Sequence, residues 1–334
     1  MLVEKIITRP QPDFARLLNV LSRKKQPGRV PFYELFANPE TMVKVLGKPI
    51  PDRTATIEFY YRCGYDYVPA WPHVAMRMGN LVDTRLGYPI QDWPSFEAYE
   101  WPKPGSVDFS EFAQVAGQLP DGMKIIAQTA GVFEAAESLF GYQGLCLNLH
   151  DDPDLVCAVF ARISELYREI YEGMSSLDQV GAVVISDDLG FKTQTLISPE
   201  DLRRYVLPVH KMLCGIIHRY DKPCILHSCG NLSSIMEDII TEVKIDAKHS
   251  YEDQILPVTR AKELYGERLA LLGGFDLDRL CRSTHDEIRA HVRHLAQVCG
   301  KGGGYALGSG NSIASFVPVE NYLTFLHEGW RLAS

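Results

Sequence analysis

The 334-residue chain is 46% hydrophobic and 23% charged, with a formal net charge of −8, enough apolar residue for a sizeable core. The negative balance argues against nucleic acid and anionic membrane as partners. No apolar run approaches the ~18 residues of a membrane span, "MLVEKIITRPQPDFARLL" lacks a signal-peptide core, and the eight cysteines form no C-x-x-C pair, so reduced thiols and a cytoplasmic location are expected.

In chain order, eight short apolar runs read as strands: "RVPFYE" (29–34), "YDYVPA" (65–70), "KIIAQT" (124–129), "AVVISDD" (182–188), "CILHSC" (224–229), "IDAKHS" (245–250), "LALLGG" (269–274) and "GYALGS" (304–309). Their apolar residues are nearly continuous, the pattern of parallel strands covered on both faces. Helical sequence separates them. In 152–174, Leu155, Val159, Ile163, Leu166 and Ile170 form one face. In 198–220, Ser198 is an N-cap and Pro199 the first helical residue. There Leu202, Val206, Val209, Leu213, Ile216 and Ile217 recur at three- and four-residue steps. Pro208 inside that pattern predicts a kink or a break. Alternating strands and helices predict an α/β fold, and eight units favour a closed (β/α)8 TIM barrel of one domain. Residues 1–28 then form an N-terminal extension and 29–334 the barrel. Residues 72–123 form an inserted excursion after the second strand, with a hairpin as one reading.

A barrel of this kind works at the C-terminal ends of its strands. There the eight segments deliver Glu34, Trp71, His73, Gln128, Thr129, Asp187, Asp188, His227, Cys229, His249, Glu252, Asp276, Ser309 and Asn311. His227 and Cys229 lie two apart on extended chain, so they share a face, and thiolate and imidazole are ligands that zinc favours. A buried thiol beside a hydrogen-bonded histidine is the plainer alternative. Asp187 and Asp188 end a buried strand: each can be a general base, a substrate orienter or a metal ligand, or simply a helix cap or ion-pair partner. Asp276 reads equally as an N-cap. "KGGGY" lacks the spacing of a dinucleotide fingerprint, whereas "GSGNSI" follows a strand and can present backbone N–H groups to an anion.

The stretch "DDLGFKTQTLISPEDLRRYVLPVHKMLCGIIHRYDKPCILHSCGNL" (187–232) resembles the central block of the uroporphyrinogen decarboxylase superfamily. "LALLGGFDLDRL" and "GGGYALGSGNSIASFVPVENYLTFLHEG" resemble its C-terminal blocks, so the resemblance spans roughly residues 25 to 332. It implies a (β/α)8 barrel. True decarboxylases carry an arginine-rich "RQAGRY" segment after the first strand; here the region reads "VPFYELFANPETM", with no arginine to meet a polycarboxylate substrate. The corrinoid-linked methyltransferases, including methylcobamide:coenzyme M enzymes, bind zinc through an H-x-C pair and a later cysteine. "HSCG" matches the pair as His227 and Cys229, while Asn311 stands where the later cysteine would be. Glu34, Asp187, Asp188 or Glu252 would have to complete the ligand set.

The resemblance therefore implies a corrinoid-dependent, metal-assisted methyltransferase. It would move a methyl group between a small-molecule donor or acceptor and the cobalamin of a separate corrinoid protein. Zinc is expected at His227 and Cys229, with Asp187, Asp188 and His249 as catalytic residues and Glu34, Gln128, Ser309 and Asn311 against the substrate. Homodimerisation is left open. The rival readings are a metal-free decarboxylase using Asp187 and Asp188, and a binding protein that has lost the chemistry.

Overall fold

The structure, a computed structural model, describes residues 10–24, 28–76 and 87–332. Seven strands pair in sequential order, all parallel: β1 (Tyr67–Ala70), β2 (Lys124–Thr129), β3 (Val180–Ser186), β4 (Cys224–His227), β5 (Ala247–His249), β6 (Ala270–Leu272) and β7 (Tyr305–Ala306). Parallel neighbours need a return path outside the sheet, which helices supply. Pro153–Ser176 returns the chain from β2 to β3, Leu207–Arg219 from β3 to β4, Val258–Tyr265 from β5 to β6 and His285–Cys299 from β6 to β7. Each buries its apolar face on the sheet; in the first of these, Leu155, Val159, Ile163, Leu166 and Ile170 are all buried. The outcome is a curled parallel sheet wrapped by helices, a TIM-barrel-like fold.

Seven of the eight predicted runs overlap these strands, one of them, 124–129, with unchanged bounds, while β3 starts and ends two residues before the predicted 182–188. The first, 29–34, differs. It makes one parallel bridge to the β7 side, Phe32 with Leu307, and among the described residues no backbone ladder joins it to β1. The cause is local. Leu307 binds Pro31 and Tyr33, which turns the N–H of Glu34 toward β1. Lys124 of β2 binds Asp66, so alternation along β1 turns Tyr67 and Pro69 toward the first segment, and Pro69 has no N–H to give. The Tyr67 hydroxyl fills the gap instead: it accepts the Glu34 N–H at 2.7 Å and donates to the Glu34 carbonyl. A side chain, not a ladder, joins the two edges there.

The predicted break at Pro208 is present. A π-helical turn, Leu202–Val206, separates the one-turn Pro199–Asp201 from Leu207–Arg219. The wide turn accommodates the hydrogen bond that proline cannot donate. In the excursion, His73 and Asp108 form an antiparallel bridge, and Trp93–Ala98 and Ser110–Ala116 are helical; residues 77–86 lie outside the described residues. Within the N-terminal stretch, helix Phe14–Leu21 buries Phe14, Leu17, Val20 and Leu21. Asp66, just before β1, anchors it: it accepts the Asp13 N–H at 2.9 Å and pairs with Arg16 at 2.6 Å.

Candidate metal centre

Register brings the candidate ligands together. Ser186 pairs with His227, and His227 with His249, so the residues that follow β3 and β4 leave the sheet side by side. The ladder runs one step further, through Asp187 N–H to the His227 carbonyl at 2.9 Å and Ser228 N–H to the His249 carbonyl at 2.8 Å. The two loops then touch through glycines. Gly230 has φ +80°, and a Cβ there would lie 2.2 Å from the backbone of Gly190. Only glycine permits that approach, and it sets Cys229 beside Asp188, whose Oδ1 accepts the Cys229 N–H at 2.8 Å.

Three donor atoms result. Those of Asp188, His227 and Cys229 all lie within 4.8 Å of one another. The His227 Nε2 is 3.6 Å from the Cys229 Sγ and 3.6 Å from the Asp188 Oδ1. A tetrahedral zinc with Zn–S near 2.3 Å and Zn–N near 2.0 Å has donor–donor edges of about 3.5 Å. The set also balances charge, since a thiolate, a carboxylate and a neutral imidazole neutralise a divalent cation. Burial, with the Asp188 charge adding to it, pushes the Cys229 thiol up to about 12, and burial holds His227 well below the usual imidazole range. Metal binding here would therefore displace the thiol proton. The residues present fit zinc, with three protein ligands and one side open, the catalytic rather than the structural pattern. Beside Cys229 opens a cleft of about 470 Å³, lined also by Phe191, Lys192, Glu252, Asp276 and Asn311.

The adjacent aspartates part company. Asp187 is fully buried and turned into the wall. Its oxygens accept the N–H groups of Phe133 at 3.0 Å and Glu134 at 3.1 Å, at the start of helix Val132–Phe140, and His210 Nε2 lies at 2.7 Å. It caps a helix, the plainer of its sequence readings, while Asp188 alone faces the His/Cys pair. Asn311, 82 residues from Cys229 in sequence, donates its side-chain N–H to the Cys229 Sγ at 3.2 Å.

The remaining expected substrate contacts, and the expected catalytic His249, are engaged within the protein. Glu34 is buried and accepts from the Ser309 N–H at 2.8 Å and the Ser309 hydroxyl at 2.5 Å. Burial raises its carboxyl to about 8, against the lowering effect of Ser309. Gln128 is buried and donates to the Leu35 carbonyl at 3.0 Å. His249 is fully buried between His227 and the Ser309 carbonyl, and burial drops it to about 3. Among the expected site residues, Cys229, Glu252, Asp276 and Asn311 line the cleft, and Asp276 caps helix Leu277–Arg282 as well. Trp71 and His73 instead meet Glu111.

One residue escaped the sequence reading. Lys248 is buried, donates to the carbonyls of Ser228 at 3.1 Å and Ser250 at 2.8 Å, and lies 4.7 Å from the centre of the Tyr251 ring. Burial lowers it to about 8. It ties together the two backbone stretches that flank Cys229 and His249. Its signal was a lysine inside the apolar run "IDAKHS", where an unpartnered ammonium would be costly.

Fold and donor set together define a TIM-barrel-like protein with a candidate metal centre at its strand ends. Residues 74–329 match the family model described as uroporphyrinogen decarboxylase (URO-D), and the chain belongs to that family. It is 22% identical over 262 residues to a methylated-thiol–coenzyme M methyltransferase of Methanosarcina mazei, covering 74% of this chain and 68% of that protein. The solved structure of a methyltransferase from Methanosarcina mazei shares the fold, with a TM-score of 0.71 over 97% of this chain and 100% of that one, at 16% identity. Similarity within the family thus runs to methyltransferases, the branch indicated by "HSCG". Among the described residues, no helix is long and apolar enough to cross a membrane.

Proposed function

We propose that this protein is a metal-assisted methyltransferase that moves a methyl group between a small molecule and a corrinoid protein. The observation that supports it best is the Asp188, His227 and Cys229 donor set, whose cysteine lines an open cleft. These three side chains would hold the ion. Bound there, zinc would supply a Lewis acid for the heteroatom that releases the methyl group or the thiol that takes it, the corrinoid of the partner being the other carrier. Asn311 donates to the Cys229 sulfur and so favours its thiolate. Glu252 and Lys192, on the cleft wall, orient the small molecule. The same reading takes residues 29–334 as one barrel domain, 1–28 as an extension, and the cytoplasm as the setting, which the free cysteines of the described chain suit.

The test joins metal content to turnover. Wild-type protein, dialysed against a mild chelator, should hold zinc close to one ion per chain, and Asp188→Ala should lose most of it. With free methylcobalamin as the corrinoid and 2-mercaptoethanesulfonate or methanethiol as acceptor, the wild type should demethylate the corrinoid, read by its absorbance change, and Asp188→Ala should be at least about 100-fold slower. A wild type that holds no zinc yet turns over equally well would sink the metal reading. Release of carbon dioxide from a carboxylic substrate by metal-free protein would favour the decarboxylase.

A further inference from the structure

If His227 offers Nε2 to the centre, its ring proton must sit on Nδ1. The structure shows what would hold it there. The His227 Nδ1 lies 2.8 Å from the Nδ1 of His249, and the His249 Nε2 lies 3.2 Å from the Ser309 carbonyl oxygen. A carbonyl can only accept, so the His249 Nε2 carries a proton. A neutral His249 then presents a bare Nδ1, and the short contact is a hydrogen bond only if the His227 Nδ1 donates. Its Nε2 is left bare. Any other assignment sets two lone pairs or two N–H groups face to face, or places a charge on a fully buried ring.

The surroundings keep the His249 ring from turning over. A Cβ on Gly273 would lie 2.8 Å from the His249 Cδ2, so that residue leaves room for the ring and little more. Tyr33 packs edge-on against it with ring centres 5.1 Å apart. Ser309 is fixed in turn: Glu34 takes both its N–H and its hydroxyl, and the Gly274 N–H shares its carbonyl at 3.0 Å. On the other side the Nε2 meets the Cys229 Sγ at 3.6 Å, a thiol that can donate to a bare nitrogen, and 3.6 Å to the Asp188 Oδ1 is too long for a hydrogen bond.

We infer that His249 is a positioning residue that locks His227 in the tautomer with a bare Nε2, at the end of a buried relay from Glu34 through Ser309. This rests on His227 being a metal ligand, as proposed above. It reassigns Glu34 and Ser309 from substrate contacts, and His249 from a catalytic role, to supports of one ligand.

Nitrogen-15 NMR of the metal-free wild type reads the tautomers directly and needs no substitution. His227 should be protonated at Nδ1 and His249 at Nε2. Zinc affinity, by competition with a chromophoric chelator, should fall about 10–100-fold in His249→Leu. It should stay near the wild-type value in His249→Gln, whose amide can accept from His227 and donate to Ser309. A His227 protonated at Nε2 overturns the inference, as does undiminished zinc affinity in His249→Leu. Should His249→Leu not fold, the wild-type tautomer and His249→Gln decide. Should the wild type take up no zinc, the metal reading fails, while the tautomer result still decides the relay.

Discussion

Strand β4 carries a cysteine, histidine and aspartate set at each end, and the two sets behave oppositely. At its C-terminal end stand Cys229, His227 and Asp188; at its N-terminal end, Cys214, His218 and Asp246. In the lower set the His218 Nε2 lies 2.7 Å from the Asp246 Oδ2, which also accepts the Cys224 N–H at 2.8 Å. Asp246 raises His218, and hydrogen bonds from Cys224 and then His218 lower the Cys214 thiol. The carboxylate there favours the protonated form of His218, which competes with a metal for the ring nitrogens. In the upper set burial raises the thiol, and the inner neighbour of the imidazole is a neutral ring. Among the described residues, only the upper set brings three donor atoms within 4.8 Å of one another. Residue types alone do not set the candidate centre apart; the group on the far side of the histidine does.

The sharpest break would come from the thiols. Cys229→Ala should abolish zinc retention and methyl transfer, whereas Cys214→Ala should retain zinc at the wild-type level. Elemental analysis of both variants checks it, and equal loss in the two would erase the distinction.

Glu34 tests whether the upper set is built on neutral supports. Its carboxyl is raised from 4.5 to about 8, so the folded state holds its proton more tightly than the unfolded chain. Stability from this group is therefore greatest below pH 4.5 and falls as the pH climbs to about 8. Relative to Glu34→Gln, the wild type should lose about 4–5 kcal/mol across that window. Urea denaturation of both proteins at several pH values measures it, and parallel stability curves would refute it.

Asn311→Cys should sharpen the upper set by adding a soft, charged donor where an amide now donates to sulfur. Zinc affinity should rise at least about tenfold, read by chelator competition. No gain would mean that Asn311 lies outside ligand reach. The smallest change concerns the lower set. Asp246→Asn should return the His218 ring toward its ordinary range, followed by NMR titration, with zinc content unaffected.

Much of this protein follows from local sequence. Continuous apolar runs such as "KIIAQT" gave parallel strands because burial on both faces leaves no place for alternation. Ser198 and Pro199 marked a helix start, and Pro208 its break. H-x-C followed by glycine marked the candidate ligand pair, since two residues on extended chain share a face whatever packs around them. Other features belong to tertiary structure alone. Asp187 and Asp188 are identical in type and adjacent, and the start of helix Val132–Phe140 together with His210 determines which one is taken inward. Asn311 reaches Cys229 across 82 residues, and Tyr67 closes the gap at Glu34 that a ladder was expected to close. His249 read as a catalytic residue, and only the tertiary structure sets its two nitrogens against His227 and Ser309. Those outcomes depend on register and on which buried donor finds which acceptor, and a hydrogen bond between distant segments leaves no periodicity in either one.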